Sequence, residues 1–158
     1  MIYAVLKTVH VLAIIVWIGG MVFAHFFLRP AVAPLEAPVR LRLMHDVLGR
    51  FFQAVLVAAL LTLASGVWML GRVAKQVVQS GGSFEMPLAW SVMAVLGVAM
   101  VAIFMHIRFA LHKKLGRAVA ASDWRAGGAA LAQIRTWVSI NLGLGVLVLL
   151  ITLLRWTS

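Results

Sequence analysis

The residues best placed to do chemistry are Lys7, His10, Trp17, Met21 and His25, all within the apolar stretch from Tyr3 to Arg29. At about 100° per residue, Lys7 and His25 lie about 60° from His10, and Trp17 and Met21 about 20° from it. The five therefore share one side of a helix. Thioether and imidazole suit Cu(I), and imidazole also ligates haem iron. An ionisable side chain at membrane depth marks a functional site by default, because facing lipid costs about 3 kcal/mol or more. The stripe is expected to face the middle of a small helical bundle and to hold a metal or a metal cofactor there.

His10 and His25 are 15 residues apart, so about 20 Å separates them along a helix. They cannot ligate one iron, but they could hold two centres, or a haem and a separate copper site. Antiparallel threading of later spans brings His25, His106, Gln53 and Asn141 towards one inner layer. Two imidazoles from separate helices are what six-coordinate haem iron requires, and Gln53 or Asn141 could orient the rings. The plainer reading, with His25 and His106 hydrated or backbone-bonded at the interface, stays open. An outer layer holds Lys7, His10, Thr62, Ser65, Ser91 and Thr152. Lys7 could meet a haem propionate, or simply reach outward to water. Met93 and Met100 form one stripe, which packing explains. Gly19, Gly20, Gly97, Gly143 and Gly145 permit close helix approach.

Helices that cross a bilayer must position these residues. Of the 158 residues, 64% are apolar and 11% charged, against about 45–50% and 25% in a soluble domain. The expected fold is all-α: one integral membrane four-helix bundle over residues 1–158. Its spans are at about 3–28, 51–71, 88–110 and 137–156, each long enough to cross about 30 Å of hydrocarbon. The first run lacks a basic leader and outlasts a signal-peptide core, so it is kept as a span. Pro30, Pro34 and Pro38 are expected to stop the first helix and hold an extended segment. Val39, Leu43, Val47 and Phe51 recur every four residues, reading as an amphipathic lead-in lying at the interface. Gly81, Gly82 and Pro87 mark a loop, and Ser122 or Asp123 could cap a helix leading into the fourth span.

The net charge is +10, from 14 Lys+Arg against 4 Asp+Glu. Arg29, Arg40, Arg42, Arg50, Arg108, Lys113, Lys114, Arg117, Arg125 and Arg135 fall on one side of the membrane; Lys7, Arg72, Lys75 and Arg155 fall on the other. The positive-inside rule then places both termini in the periplasm and the basic connections in the cytoplasm of an inner-membrane protein. Tyr3, Trp68, Trp90 and Trp156 would form the outer aromatic belt, Trp124 and Trp137 the inner one. Because the bases lie between apolar spans, anionic lipid headgroups are the expected partner rather than nucleic acid. Small-residue faces permit a homodimer, and a redox or metal-delivery protein is a further candidate partner. The chain has no cysteine, which removes thiolate sites and thiol nucleophiles. Glu36, Asp46, Glu85 and Asp123 all lie in connections, so hydrolase chemistry and carboxylate-driven pumping are poorly supported.

The stretch LKTVHVLAIIVWIGGMVFAHFFLRP at 6–30 resembles the opening helix of the copper-resistance D (CopD) family. RFFQAVLVAALLTLASG at 50–66, MVAIFMHIRFA at 100–110, DWRAGGAALAQIR at 123–135 and VSINLGLG at 138–145 extend the resemblance in order. It implies a four-helix membrane unit with a role around copper. The related haem-b-binding protoporphyrinogen oxidases (HemJ) are similar in size and opening pattern, and that likeness implies His10 and His106 as ligands with Trp17 beside them. PLAW at 87–90 departs from the oxidase pattern. Three readings result. In one, the protein binds or passes copper through His10, Met21, His25 and His106. In the other, a b-type haem with His10, His25 and His106 as axial candidates serves electron transfer or porphyrin oxidation, which alone would make the chain an enzyme. A non-catalytic membrane scaffold is the third.

Overall fold

The computed structural model describes residues 1–154. Four helices are long and apolar enough to cross a membrane: α1 (Ile2–Val32), α2 (Ala37–Gln79), α3 (Leu88–Ala120) and α4 (Trp124–Leu154). Among the described residues there is no strand. Arg155 and Trp156, assigned above to the outer end of the fourth span, lie outside the described residues. Helices α1 and α2 pack as one hairpin and α3 and α4 as another, and α4 touches all three other helices. Side chains such as Val11, Ile15, Phe26, Val57, Leu60, Val95 and Leu147 face outward, as they should where the surrounding solvent is hydrocarbon.

Two sequence expectations about the connections are corrected. Pro30 does not stop the first helix. A π-helical turn at Ala24–Leu28 precedes it, where Arg29 N–H reaches the Ala24 carbonyl five residues back. Such a turn shifts the hydrogen-bond register, so the helix can absorb a proline and continue to Val32. The chain reverses only at 33–36, where the Arg40 guanidinium donates to the Ala33 carbonyl at 3.1 Å. Nor does the lead-in form a separate segment lying at the interface. It is the first third of one 43-residue helix, about 65 Å long. Nothing between Pro38 and Gln79 breaks it, because Pro38 sits in the first turn, where its missing N–H costs nothing.

The lead-in finds its partner in the tail of α3 and the start of α4. Leu41, Met44 and Leu48 join Leu111, Leu115 and Ala130 in the same buried core. Helix α3 also carries a π turn, at Ile107–Leu111. Asp123 caps α4 by accepting the Ala126 N–H at 2.9 Å, while Ser122 turns the chain with a positive φ of 54°.

Candidate functional site

The buried stripe of α1 is Ala13, Trp17 and Met21; of the five residues expected to share one face, Trp17 and Met21 are buried and His10 and His25 half-buried, and polar groups stand along the helix at three depths. Near the start of α1, the His10 ring meets α2 where Ser65 and Gly66 stand. His10 Nδ1 lies 2.9 Å from Ser65 Oγ. The Ser65 hydroxyl already donates to the Leu61 carbonyl of its own helix, so the ring nitrogen is the donor and the serine oxygen the acceptor. That fixes the tautomer and leaves the lone pair on His10 Nε2. Thr62 Oγ1, one turn away on α2, is buried without a partner. Lys7 is exposed.

The second depth is the bundle centre. Trp17 packs edge-on to Phe104 with ring centroids 6.0 Å apart, and Phe104 packs edge-on to Phe52 at 6.1 Å. Between them lies a cavity of about 10 Å³, lined by Trp17, Met21, Phe52, Phe104 and Asn141 among others. Asn141 is 1% exposed, and its Oδ1 has no hydrogen-bond partner.

The third depth repeats the first. His25 Nδ1 lies 3.3 Å from Ser139 Oγ on α4, and the Ser139 hydroxyl donates to the Arg135 carbonyl at 2.9 Å. The same accounting leaves the lone pair on His25 Nε2. Asn141 lies two residues further along α4, about 160° round the helix from Ser139, and borders the central cavity rather than the His25 ring.

His106 and Gln53 join neither of them. Both are exposed, and the His106 ring sits against the edge of Trp137, with centroids 5.4 Å apart. Around His106 the buried positions of α3 are Met100, Phe104, Ile107 and Leu111; His106 is one residue from Ile107 and so points about 100° away from that stripe. Gln53 stands in the same relation to the buried Phe52. Met21 lies 11 residues from His10, about 16 Å along the helix, so the two cannot hold one ion together.

A further pair was missed in the sequence. His45 and His112 stack with centroids 4.7 Å apart and planes 3° from parallel. His112 Nε2 donates to the His45 carbonyl at 3.1 Å, and His45 Nδ1 meets Asp46 Oδ1 at 3.3 Å. Gly49 lies against the His112 ring and Gly116 against the His45 ring. The signal was present: residues 45–50 read HDVLGR and residues 112–117 read HKKLGR, one pattern used twice. On antiparallel helices, each copy supplies the imidazole that rests on the other copy's glycine.

Among the described residues, no three His, Cys, Asp or Glu groups converge as a metal-holding set. Nor do the expected haem ligands fit one macrocycle. A cofactor pocket takes about 300 Å³ or more, the central cavity has about 10 Å³, and His106 faces outward. What the bundle offers instead is a series of small neutral donors along α1.

Comparison with known proteins adds one match. The family model described as copper resistance protein D covers residues 45–155. The chain belongs to the copper resistance protein D family. The matched stretch includes His45, Ser65, His106, His112, Ser139 and Asn141, while α1 precedes it. The family match and the four helices long and apolar enough to cross a membrane together mark the chain as a multi-pass membrane protein of that family. No curated protein and no solved structure matches the chain.

Proposed function

We propose that this chain binds copper inside the membrane, or passes it across, using the histidines of α1. The observation that carries the reading is the His10–Ser65 bond. A serine whose own proton is committed to the backbone holds the imidazole in one tautomer and leaves Nε2 ready to coordinate. His25 with Ser139 supplies a second such imidazole towards the other side. Both stand on the face of α1 that also carries Trp17 and Met21. Neutral nitrogen and sulfur donors without a carboxylate suit Cu(I) better than a harder, doubly charged ion.

In this reading both termini are periplasmic, and His10 faces the periplasmic half of an inner-membrane bundle. The basic connections lie against anionic cytoplasmic headgroups. A metal-delivery or redox protein meets the bundle at its ends.

Cu(I) titration of detergent-purified protein against a colorimetric chelator tests the proposal. Wild type is expected to withdraw copper from the chelator. His10→Ala is expected to weaken that binding by tenfold or more, the usual scale for losing a metal ligand or its orienting partner. Ser65→Ala should weaken it less, since the ligand remains and only its orientation is lost. Unchanged Cu(I) binding in His10→Ala would remove the proposed site.

A further inference from the structure

The extensions of α2 and α3 meet through one interlocked pair. Residues 45–50 and 112–117 carry the same pattern, a histidine with a glycine four residues on. His45 and His112 stack with centroids 4.7 Å apart and planes 3° from parallel, and each ring lies against the other segment's glycine. His112 is buried and His45 half-buried. Backbone contact between α2 and α3 is made mainly by residues 112–120 of α3, so the stack sits where the two helices are joined.

The hydrogen bonds fix where protons can add. His112 Nε2 donates to the His45 carbonyl at 3.1 Å, so a second proton on that ring goes to Nδ1. His45 Nδ1 faces Asp46 Oδ1 at 3.3 Å, so the His45 ring can take a charge beside a carboxylate. An imidazolium over a neutral imidazole still stacks. His112 has no such relief. Arg108, one turn before it on α3, repels a charge there, and so does a charged His45. Of the other cations on these segments, Arg42 lies over the Trp124 ring, Lys113 over Phe109 and Lys114 on Gln133; Arg50 and Arg117 are exposed. Phe52 meets the His112 ring edge-on. The face that α4 buries here, Gly127, Ala130 and Ile134, brings no titratable group. A proton on each ring therefore sets two cations face to face, with a carboxylate beside His45 and a guanidinium near His112.

We propose that the His45–His112 stack is an acid-released clasp. It holds the extensions of α2 and α3 together while at most one ring is charged, and it parts when both are. The separated rings bind one more proton than the stacked ones, so falling pH favours release. The clasp does not depend on the copper reading.

The test uses full-length protein in detergent. The chain has no cysteine, so nitroxides attach only at introduced ones: Leu43→Cys on α2 and Ala110→Cys on α3, both at exposed positions. Pulsed electron paramagnetic resonance measures their separation at about pH 7.5 and about pH 5, the range over which imidazole changes charge. The labelled protein is expected to give one narrow distance at the higher pH and a broader one, longer by several ångströms, at the lower. His112→Gln keeps a donor for the His45 carbonyl and takes no proton, so it should hold the narrow distance at both. His45→Asn keeps a donor for Asp46 and should do the same; it serves where His112→Gln fails to fold. A distance that does not change between the two pH values overturns the clasp. So does a change that either folded variant retains in full, since acid would then be acting elsewhere.

Discussion

His10, His25 and Asn141 are polar groups turned into the bundle, and they are satisfied to different degrees. Each histidine has a serine on the neighbouring helix, and each serine has a backbone carbonyl four residues behind it. Asn141 Oδ1 has nothing. The difference leads to opposite expectations for stability without metal. Asn141→Leu removes an unpaired buried acceptor and fills space, so metal-free protein should melt no lower than wild type and up to a few degrees higher. Ser65→Ala strips the His10 ring of its acceptor and should cost about 1 kcal/mol. Thermal melts in detergent, with chelator present, measure both. The inward turn of His10 was legible, because it shares the α1 stripe with Trp17 and Met21. The outward turn of His106 was not. Depth along a helix can be counted from sequence, but azimuth needs the buried face, and α3 is apolar nearly all round. Its stripe of Met100, Phe104 and Ile107 emerges only once the neighbours are in place.

Between elements, the close approaches are made at particular glycines. A methyl at Gly20 would collide with the Phe51 ring of α2, and one at Gly145 would meet Ile18 and Met100 at 3.1 Å; at Gly19, Gly97 and Gly143 it would meet nothing within 4 Å. Gly20→Ala is therefore expected to destabilise by about 1–3 kcal/mol through overpacking. Gly19→Ala, one residue away, should be neutral or slightly stabilising, since alanine is the better helix former. The extensions of α2 and α3 allow a matched comparison. A methyl at Gly116 would lie 2.9 Å from His45 Nε2, whereas one at Gly49 would lie 3.4 Å from His112 Cε1. Gly116→Ala should force the His45 ring out of its stack and lower the unfolding midpoint, while Gly49→Ala should be tolerated. The four spans were legible as continuous apolar runs, and Asp123 as a helix cap. The continuation of α1 through Pro30 was not, because a π turn has no compositional mark. The coaxial lead-in of α2 was not, because its partners at Leu111, Leu115 and Ala130 lie far along the chain.

At the scale of the whole molecule, two hairpins are joined through α4, and a polar ladder runs along α1 from His10 through Asn141 to His25. The chain's lack of cysteine makes its orientation easy to read. Single cysteines at Ser80 and Ala121 sit at opposite ends of the bundle, in the connections after α2 and after α3. With both termini periplasmic, Ser80→Cys should react with a membrane-impermeant maleimide added to intact spheroplasts, and Ala121→Cys should react only after lysis. The reverse pattern would invert the proposed topology while leaving the ladder in place. The ladder itself is tested most directly by X-ray absorption at the copper edge on protein loaded with one equivalent of Cu(I). The account predicts imidazole scattering from the bound ion in wild type and a clear reduction of it in His10→Ala. A wild-type spectrum without imidazole, or one that His10→Ala leaves unchanged, would contradict it.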